Sequence, residues 1–303
     1  MTERTLVSVL MTSYNRENYI AEAIESVLAS SHTDFELIIS DDASTDTTVQ
    51  IARRYADKDN RIKVFVNPVN SGDYPNRNTA ASYSKGKYIK YVDSDDTISQ
   101  DGLYKMVSAM EAHPEAALGI SQFDFEENIV YPQLVSSEQA YMDHYFGLKI
   151  LSYGPIGAII KREVFVALNG FANERYISDT EMWLKLSAIY PVVKIEPGVV
   201  EWRRHTDQEY HYGHNDYSYL RLSYPVFIAS LNSKNCPLKP EDITIIKNRL
   251  QWKHARDILM LALKKGHFKI AYTIFKESGF NLFQLTKGFL PYSMVKKNFY
   301  HSV

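Results

Sequence analysis

Residues 88–97 read YIKYVDSDDT, an aromatic and β-branched run that ends in three carboxylates within four positions, Asp93, Asp95 and Asp96. Like charges about 5–6 Å apart repel by about 3 kcal/mol at an effective dielectric near 20, so a strand end that gathers them must gain something. Three uses suit these residue types. Capping the helix that begins near LYKMV would employ one carboxylate, since Asp and Ser are favoured N-caps, and leaves two unexplained. A calcium loop of the EF-hand kind needs a central glycine and a glutamate twelve residues on, and both are absent. The third use is a divalent cation that binds a diphosphate. Mg²⁺ or Mn²⁺ takes one or two protein carboxylates and fills its other positions with phosphate oxygens and water. Its charge would offset the repulsion.

The elements that must hold these groups are legible from periodicity. LVSVLMTSY (6–14), FELIIS (35–40), RIKVFV (61–66), YIKYV (88–92) and AALGISQFDF (116–125) read as strands. NYIAEAIESVLASS (18–31), with Ile20, Ile24, Val27 and Leu28 on one stripe, reads as a helix. So do TTVQIARRYADK (47–58), RNTAASYSKG (77–86, closed by Gly86) and DGLYKMVSAMEAHP (101–114). Strands alternating with helices predict an α/β fold with a mostly parallel sheet covered on both faces. Ligands bind such sheets beyond the carboxyl ends of the strands. Here those ends are TSYN, SDDASTD, NPVNSG and VDSDD, all polar and two of them acidic. Beyond residue 126 the pattern is less regular. GPIGAIIKREVFVALNGF (154–171) reads as a strand turning into a short helix, DTEMWLKLSAIY (179–190) as a helix and VVKIEPGVVEWRRH (192–205) as a strand or hairpin. From about residue 216 the chain turns helical and tyrosine-rich, with a soft boundary at 206–215.

Composition narrows the function classes. The 303 residues carry a net charge of −2, which excludes a general nucleic-acid binder, and 45% apolar with 23% charged residues suits a globular chain. One cysteine, Cys236, excludes a disulfide framework and a four-thiolate zinc site. MTERTLVSVLMTSYN has no cleavage site of the signal-peptide kind, and no run of about 18 uninterrupted apolar residues predicts a spanning helix. A cytoplasmic location is expected.

Taken together, VSVLMTSYNRENYIAEAIESVL, ELIISDDASTDTT, NSGDYPNRNTA and YIKYVDSDD occur in the order and spacing of the family-2 inverting glycosyltransferases of the GT-A fold. The chain resembles that family over roughly residues 5–110 and, less fully, 150–210. The resemblance implies a GT-A catalytic domain over 1–210, with a nucleotide-binding half (1–100) and an acceptor half (101–210), followed by a C-terminal helical region over 211–303. It also implies metal-dependent inverting transfer, with Mn²⁺ or Mg²⁺, of a sugar from a nucleoside diphosphate donor. UDP-sugar is the default donor, and the acceptor would be a hydroxyl of a glycan or glycolipid in surface polysaccharide biosynthesis. Thr12, Tyr14 and Arg16 then cradle the nucleotide, with Tyr14 against the base; a Tyr14 packed into the core is the bland alternative. Asp42 accepts from the imide N–H of the base, Asp41 being its weaker neighbour, while Ser44 and Asp46 cap the next helix. Arg77, supported by Asn78, approaches the diphosphate. Asp93 takes the ribose hydroxyls, Ser94 belongs to the same nucleotide-sugar set, Asp95 binds the metal, and Asp96 supports it or caps. No GxGxxG or GxxxxGK[ST] loop is present, which separates the chain from dinucleotide dehydrogenases and P-loop enzymes. Two other readings stay open: a catalytically silent glycosyltransferase-like binding subunit, and a sugar-phosphate nucleotidyltransferase.

Inverting displacement also needs a carboxylate base on the acceptor side of the sugar. In the family this base follows an acid and precedes a Trp- or Leu-rich turn. Here the segment reads SDTEMWLKL, so Asp179 takes the place of the base, Ser178 stands where a glutamate is usual, and Glu181 is a weaker alternative. Ser178 with Glu181 three residues on is equally a capping box, which would exist without catalysis. EWRRHTDQE (201–209) resembles the family's Arg-x-His element and would bring Arg203 and His205 to the diphosphate or the metal, although Glu209 and Tyr210 replace the serines often found downstream. The last 44 residues hold seven lysines against one acid, Glu277, interleaved with Phe268, Phe275, Phe280, Phe283 and Phe289. Either these helices touch the inner face of the cell membrane peripherally, or their aromatics pack on a core and their lysines face water.

Overall fold

VSVLMTS forms β1 (Val7–Ser13), buried along its whole length, as befits a central strand of a sheet covered on both faces. The computed structural model describes residues 7–121, 129–147, 149–203 and 209–291. The chain divides into two compact units, Met1–His205 and Thr206–Val303. In the first, β1 is followed by α1 (Ile20–Leu28), β2 (Phe35–Asp41), α2 (Thr48–Ala56), β3 (Ile62–Val66), α3 (Asp73–Ser82) and β4 (Tyr88–Tyr91). Then come β5 (Thr97–Ile98), α4 (Gly102–Ala112), β6 (Leu118–Ser121), β7 (Gln133–Val135), α5 (Ser137–Phe146), β8 (Ala158–Lys161), α6 (Arg162–Ala167), α7 (Ser178–Ser187), β9 (Val192–Ile195) and β10 (Val200–Glu201).

Eight strands make one sheet in the order β3-β2-β1-β4-β8-β6-β9-β7, and β5 pairs with β10 apart from it. The pairings β3–β2, β2–β1, β1–β4 and β6–β9 are parallel; β8 runs antiparallel between β4 and β6, and β7 antiparallel on β9. One sheet therefore joins the strands of residues 1–100 to the later ones through β8.

Side-chain alternation decides what covers each face. Val7, Val9 and Met11 of β1 and Leu37 and Ile39 of β2 join Ile20, Ile24 and Val27 of α1 and Leu103, Met106 and Met110 of α4 in one cluster. The opposite face receives α3: the Ser40 hydroxyl donates to Asn76, the Asn76 amide donates to the Ser40 carbonyl, and the Tyr91 hydroxyl donates to the Arg77 carbonyl.

The structure corrects several sequence expectations. Helix α3 starts at Asp73, four residues before the expected start at Arg77, because Pro75 is tolerated in a first turn and Gly72 takes φ 94° ahead of it. It ends at Ser82, so Gly86 is no helix cap; its N–H donates to the Ser8 hydroxyl at 2.8 Å. The strands β5 and β7 and the helix α5 were not expected.

The second unit is helical: α8 (Glu209–Asn215), α9 (Ser218–Asn232), α10 (Pro240–Leu263), α11 (Phe268–Glu277) and α12 (Leu282–Thr286). Pro240 opens α10 with Glu241 and Asp242 in its first turn, and Asn281 with Gln284 forms a reciprocal capping box on α12. No helix among the described residues is long and apolar enough to cross a membrane.

Candidate active site

The carboxyl ends of β1, β2 and β4 lie side by side, and most of the groups singled out by the sequence gather there. Thr12, near the end of β1, is buried, and its carbonyl accepts from the Ser94 N–H at 3.4 Å. Tyr14 is 43% exposed, which removes the core-packing alternative. Arg16 folds back over this loop: its Nε donates to Asp95 at 2.9 Å and its Nη1 to the carbonyls of Tyr14 and Asn15 at 3.2 Å.

The acids after β2 are occupied with backbone. Asp42 is buried; Oδ1 accepts from Asn67 Nδ2 and from the Ser71 hydroxyl at 2.8 Å, and Oδ2 from the N–H of Gly72 at 2.8 Å and of Ser71 at 3.0 Å. It therefore anchors the 67–72 turn that leads into α3. Asp41 accepts from the hydroxyls of Ser13 and Ser44, so Ser44 serves this turn and does not cap α2. Asp46 does receive the Thr48 N–H at 2.9 Å, in the first turn of α2.

Arg77 and Asp93 meet each other. The buried guanidinium donates to both Asp93 oxygens, at 2.6 and 3.0 Å, and to Asp73 Oδ1 at 2.8 Å. Burial would lower the pKa of this group, but Asp73 and Asp93 outweigh it and hold Arg77 firmly charged. Each Asp93 oxygen keeps a further lone pair for a hydroxyl donor. Asp96 is buried and accepts the Arg203 N–H at 2.9 Å. Burial first, then Asp93 and Asp95, push its carboxyl up to about 8. Lys90, wholly buried on β4, donates to the Ile156 carbonyl. Burial lowers it to about 7, against Asp93 and Asp96. His205 lies outside the described residues.

Asp179, at the start of α7, lies beside this network. Tyr74, on the first turn of α3, hydrogen-bonds its carboxylate, and the Thr180 N–H donates to Oδ1 at 2.5 Å. Burial is the largest influence and raises the carboxyl to about 6, over the opposing pulls of Thr180, Tyr74 and Arg77. Two contacts set its position. Asn78 clasps the backbone of Phe171, donating to its carbonyl at 2.8 Å and accepting its N–H at 2.9 Å, so it supports this turn and not Arg77. Gly170 precedes it at φ 68°, where a Cβ would stand 2.5 Å from Asn78 Oδ1. Phe171 then packs among Tyr74, Tyr91, Phe165 and Trp183.

The second contact is Ser178. Its hydroxyl lies 2.7 Å from the carbonyls of both Ala172 and Glu174, tying the loop before the helix. No side chain caps α7, and Glu181 pairs with Lys185 at 2.7 Å. The capping box read from the sequence is absent. Sequence reasoning missed Asp73, Tyr74 and Lys90; the Asp73–Arg77 spacing of four was the available signal for the first.

Among the described residues no group of three or more His, Cys, Asp or Glu is arranged to hold a metal by itself. The chemistry of the donor set still fits Mg²⁺ or Mn²⁺. Asp95 is a single partly exposed carboxylate beside the acidic pair, and such an ion takes the rest of its shell from a diphosphate and water. Among the described residues, Asp73, Asp93, Asp95, Asp96 and Asp179 gather around Arg16, Arg77 and Lys90. The neighbouring carboxylates Asp93 and Asp95 add to burial in raising Asp96.

Comparison with known proteins bears on the family and the fold. The chain is 38% identical over 105 residues to UDP-Glc:alpha-D-GlcNAc-diphosphoundecaprenol beta-1,3-glucosyltransferase WfgD of Escherichia coli, a match covering 35% of this chain and 41% of that protein. The chain thus spans less than half the length of the curated relatives it matches most strongly. Among solved structures, residues 1–349 of Staphylococcus aureus TarS in complex with UDP-GlcNAc match with a TM-score of 0.68 at 20% identity, over 90% of this chain and 80% of that one. The mannosyltransferase PcManGT of Pyrobaculum calidifontis, in complex with GDP-Man and Mn²⁺, matches with a TM-score of 0.61 at 16% identity, over all of this chain and 89% of that one. Both share the fold. The sequence profile of glycosyl transferase family 2 matches residues 8–168, more than half of the chain, and the chain belongs to that family.

Proposed function

We propose that this chain is a metal-dependent inverting glycosyltransferase, moving a sugar from a nucleoside diphosphate donor to a hydroxyl of a glycan or lipid-linked glycan at the inner face of the cell membrane, in surface polysaccharide synthesis. The observation that carries the reading is the approach of Asp179 to the Tyr74, Arg77 and Asp93 network at the strand ends. UDP-sugar is the favoured donor, supported by the UDP-GlcNAc bound to TarS and the UDP-glucose donor in the name of WfgD.

In this reading Tyr14 offers the base a stacking face, and the open lone pairs of Asp93 receive the ribose. Asp95 would hold Mn²⁺ or Mg²⁺, with His205 as the second candidate ligand; the ion would neutralise the leaving diphosphate when bound. PcManGT, which carries Mn²⁺ with its GDP-sugar, supports that assignment. Asp179 takes the proton of the acceptor hydroxyl as that oxygen attacks the anomeric carbon from the face opposite the leaving group. A carboxyl raised to about 6 is a better proton acceptor than an ordinary one and is still ionised at neutral pH. Arg77 and Tyr74 orient the acids around it.

The test offers UDP-sugars with and without Mn²⁺, scoring hydrolysis of the donor and transfer to a lipid-linked glycan. Metal-stimulated turnover is expected from the wild type and none from Asp179→Asn, with UDP affinity retained. Donor binding without turnover in the wild type would instead favour a silent binding subunit, and pyrophosphate release from UTP and a sugar phosphate a nucleotidyltransferase.

A further inference from the structure

The C-terminal unit has a small apolar core and leaves most of its large apolar side chains near the end of the chain outside it. Ile258 and Leu261 of α10 pack on Ala271 and Ile274 of α11. On another flank of α11, Phe268, Tyr272 and Lys276 follow one another at spacings of four and so share a stripe. Phe268 and Tyr272 are 64% and 66% exposed, and Leu282 and Phe283 of α12 are each 73% exposed. Among the described residues, eight of the seventeen exposed large apolar side chains fall within 263–290. Scattered apolar side chains need no account, but eight within 28 residues are the material of an interaction face.

Its charge has one sign. Lys264, Lys265, Lys269, Lys276 and Lys287 lie between residues 258 and 291, where the sole acid is Glu277. Arg221 already holds both oxygens of Glu277, at 2.5 and 2.9 Å. Among the described residues none of these lysines is held in an ion pair, so their charge lies beside phenylalanine and leucine.

We propose that α11 and α12 form a docking surface for an anionic lipid bilayer. Phosphate headgroups meet the lysines, while Phe268, Leu282 and Phe283 enter the boundary with the acyl chains. Lysine stems can lie along the apolar layer with their ammonium groups in the headgroups. A second copy of the chain fits this face less well, since self-pairing sets lysines against lysines. A nucleic acid would match the charge but offers no acyl layer for leucine. The proposal deepens the acceptor reading above, yet no residue in it belongs to the N-terminal unit, so the two can fail separately.

The test is flotation of the full chain with vesicles of phosphatidylcholine alone and with added phosphatidylglycerol, at low and high salt. The wild type should bind only the phosphatidylglycerol vesicles, and salt should weaken the binding. Replacing Lys264, Lys265 and Lys269 together by glutamine should weaken it about a hundredfold. The pair Phe268→Ser and Phe283→Ser should weaken it at least tenfold, with thermal stability and UDP affinity unchanged. Equal binding to both vesicles, or wild-type binding by the lysine variant, overturns the proposal. So does a serine pair that loses stability, because the face is then covered within the fold. Salt-sensitive self-association of the wild type that the variants abolish would reassign the face to a second copy.

Discussion

Replacing Asp179 by asparagine should make the protein more stable and inactive at once. A carboxyl raised from the ordinary 3.8 to about 6 carries about 3 kcal/mol of unfavourable charging in the folded state, at about 1.4 kcal/mol per pH unit of displacement. The sign follows from proton counts. Between the unfolded and the folded pKa, the folded protein holds the proton that the unfolded chain has released, so stability falls as pH rises from about 4 to 6. Above that the loss is complete and constant. Asparagine removes it without a cavity, because its carbonyl can still accept the Thr180 N–H and its amide can donate to the Tyr74 oxygen. Part of the gain is returned, since a neutral acceptor binds those donors less strongly. The variant should therefore be about 1–3 kcal/mol more stable at pH 8, with about a third of that gap left at pH 4.5. For a unit of this size each kcal/mol moves the melting temperature by roughly 2–4 °C. Denaturant titrations of both proteins across this pH range, with sugar transfer measured in parallel, provide the check. Transfer should fall by roughly 10²–10⁴-fold, the usual worth of a positioned base. A stability gap that ignores pH, or an asparagine variant less stable than wild type at pH 8, would refute the burial argument; retained transfer would remove Asp179 as the base.

Three further substitutions probe the same network. Tyr74→Phe deletes a donor that favours the ionised Asp179, so the acid limb of the pH–rate profile should move to higher pH. The kcat lost near pH 6 should return at pH 8, and a loss that is uniform in pH would reduce Tyr74 to packing. Asp95→Ala should make nucleotide-sugar affinity insensitive to Mn²⁺ in calorimetry while leaving the Arg77–Asp93 pair intact; undiminished metal dependence would place the ion elsewhere. Ser178→Glu restores the acid usual in the family but buries it at a position with no exposed surface, against the carbonyls of Ala172 and Glu174. It should cost about 3 kcal/mol or more in urea unfolding and raise no activity; an active, stable variant would show that the loop re-forms around the acid.

The elements that build the sheet were legible because β1, β2 and β4 are short, mainly apolar runs and α1 carries its stripe at helical spacing. The polar strand ends pointed to the same candidate groups that the structure gathers at the ends of β1, β2 and β4. What stayed illegible depends on hydrogen-bond capacity supplied by distant segments. Asp42 reads as a ligand group in the sequence, yet the 67–72 turn supplies donors to both its oxygens. Ser178 and Glu181 have the spacing of a capping box, but two carbonyls of the preceding loop claim the serine hydroxyl. Tyr74 sits in a stretch whose Asn, Gly and Pro residues signal a turn, and only the docking of α7 gives its hydroxyl a role. Two-residue β5 and three-residue β7 are too short to leave a period.

The same network explains how Asp179 can be held as the proposed base and how the serine at 178 can be tolerated. Asp179 is set by residues that touch no substrate in the proposed reaction: Asn78 fixes Phe171, Ser178 fixes the loop after it, and Tyr74 receives the carboxylate from the other half of the sheet. A glutamate at 178 would add one more charge to a cluster whose Asp96 already sits near 8. The serine keeps the loop closed with a neutral group. An incoming diphosphate brings further negative charge to the same cluster, and Arg16 and Arg77 are already engaged by Asp95, Asp73 and Asp93. In the proposed reaction a divalent cation that supplies the missing charge gives donor binding that depends on Mn²⁺, whereas a donor that draws Arg16 away from Asp95 gives binding that depends on Arg16 with no metal present.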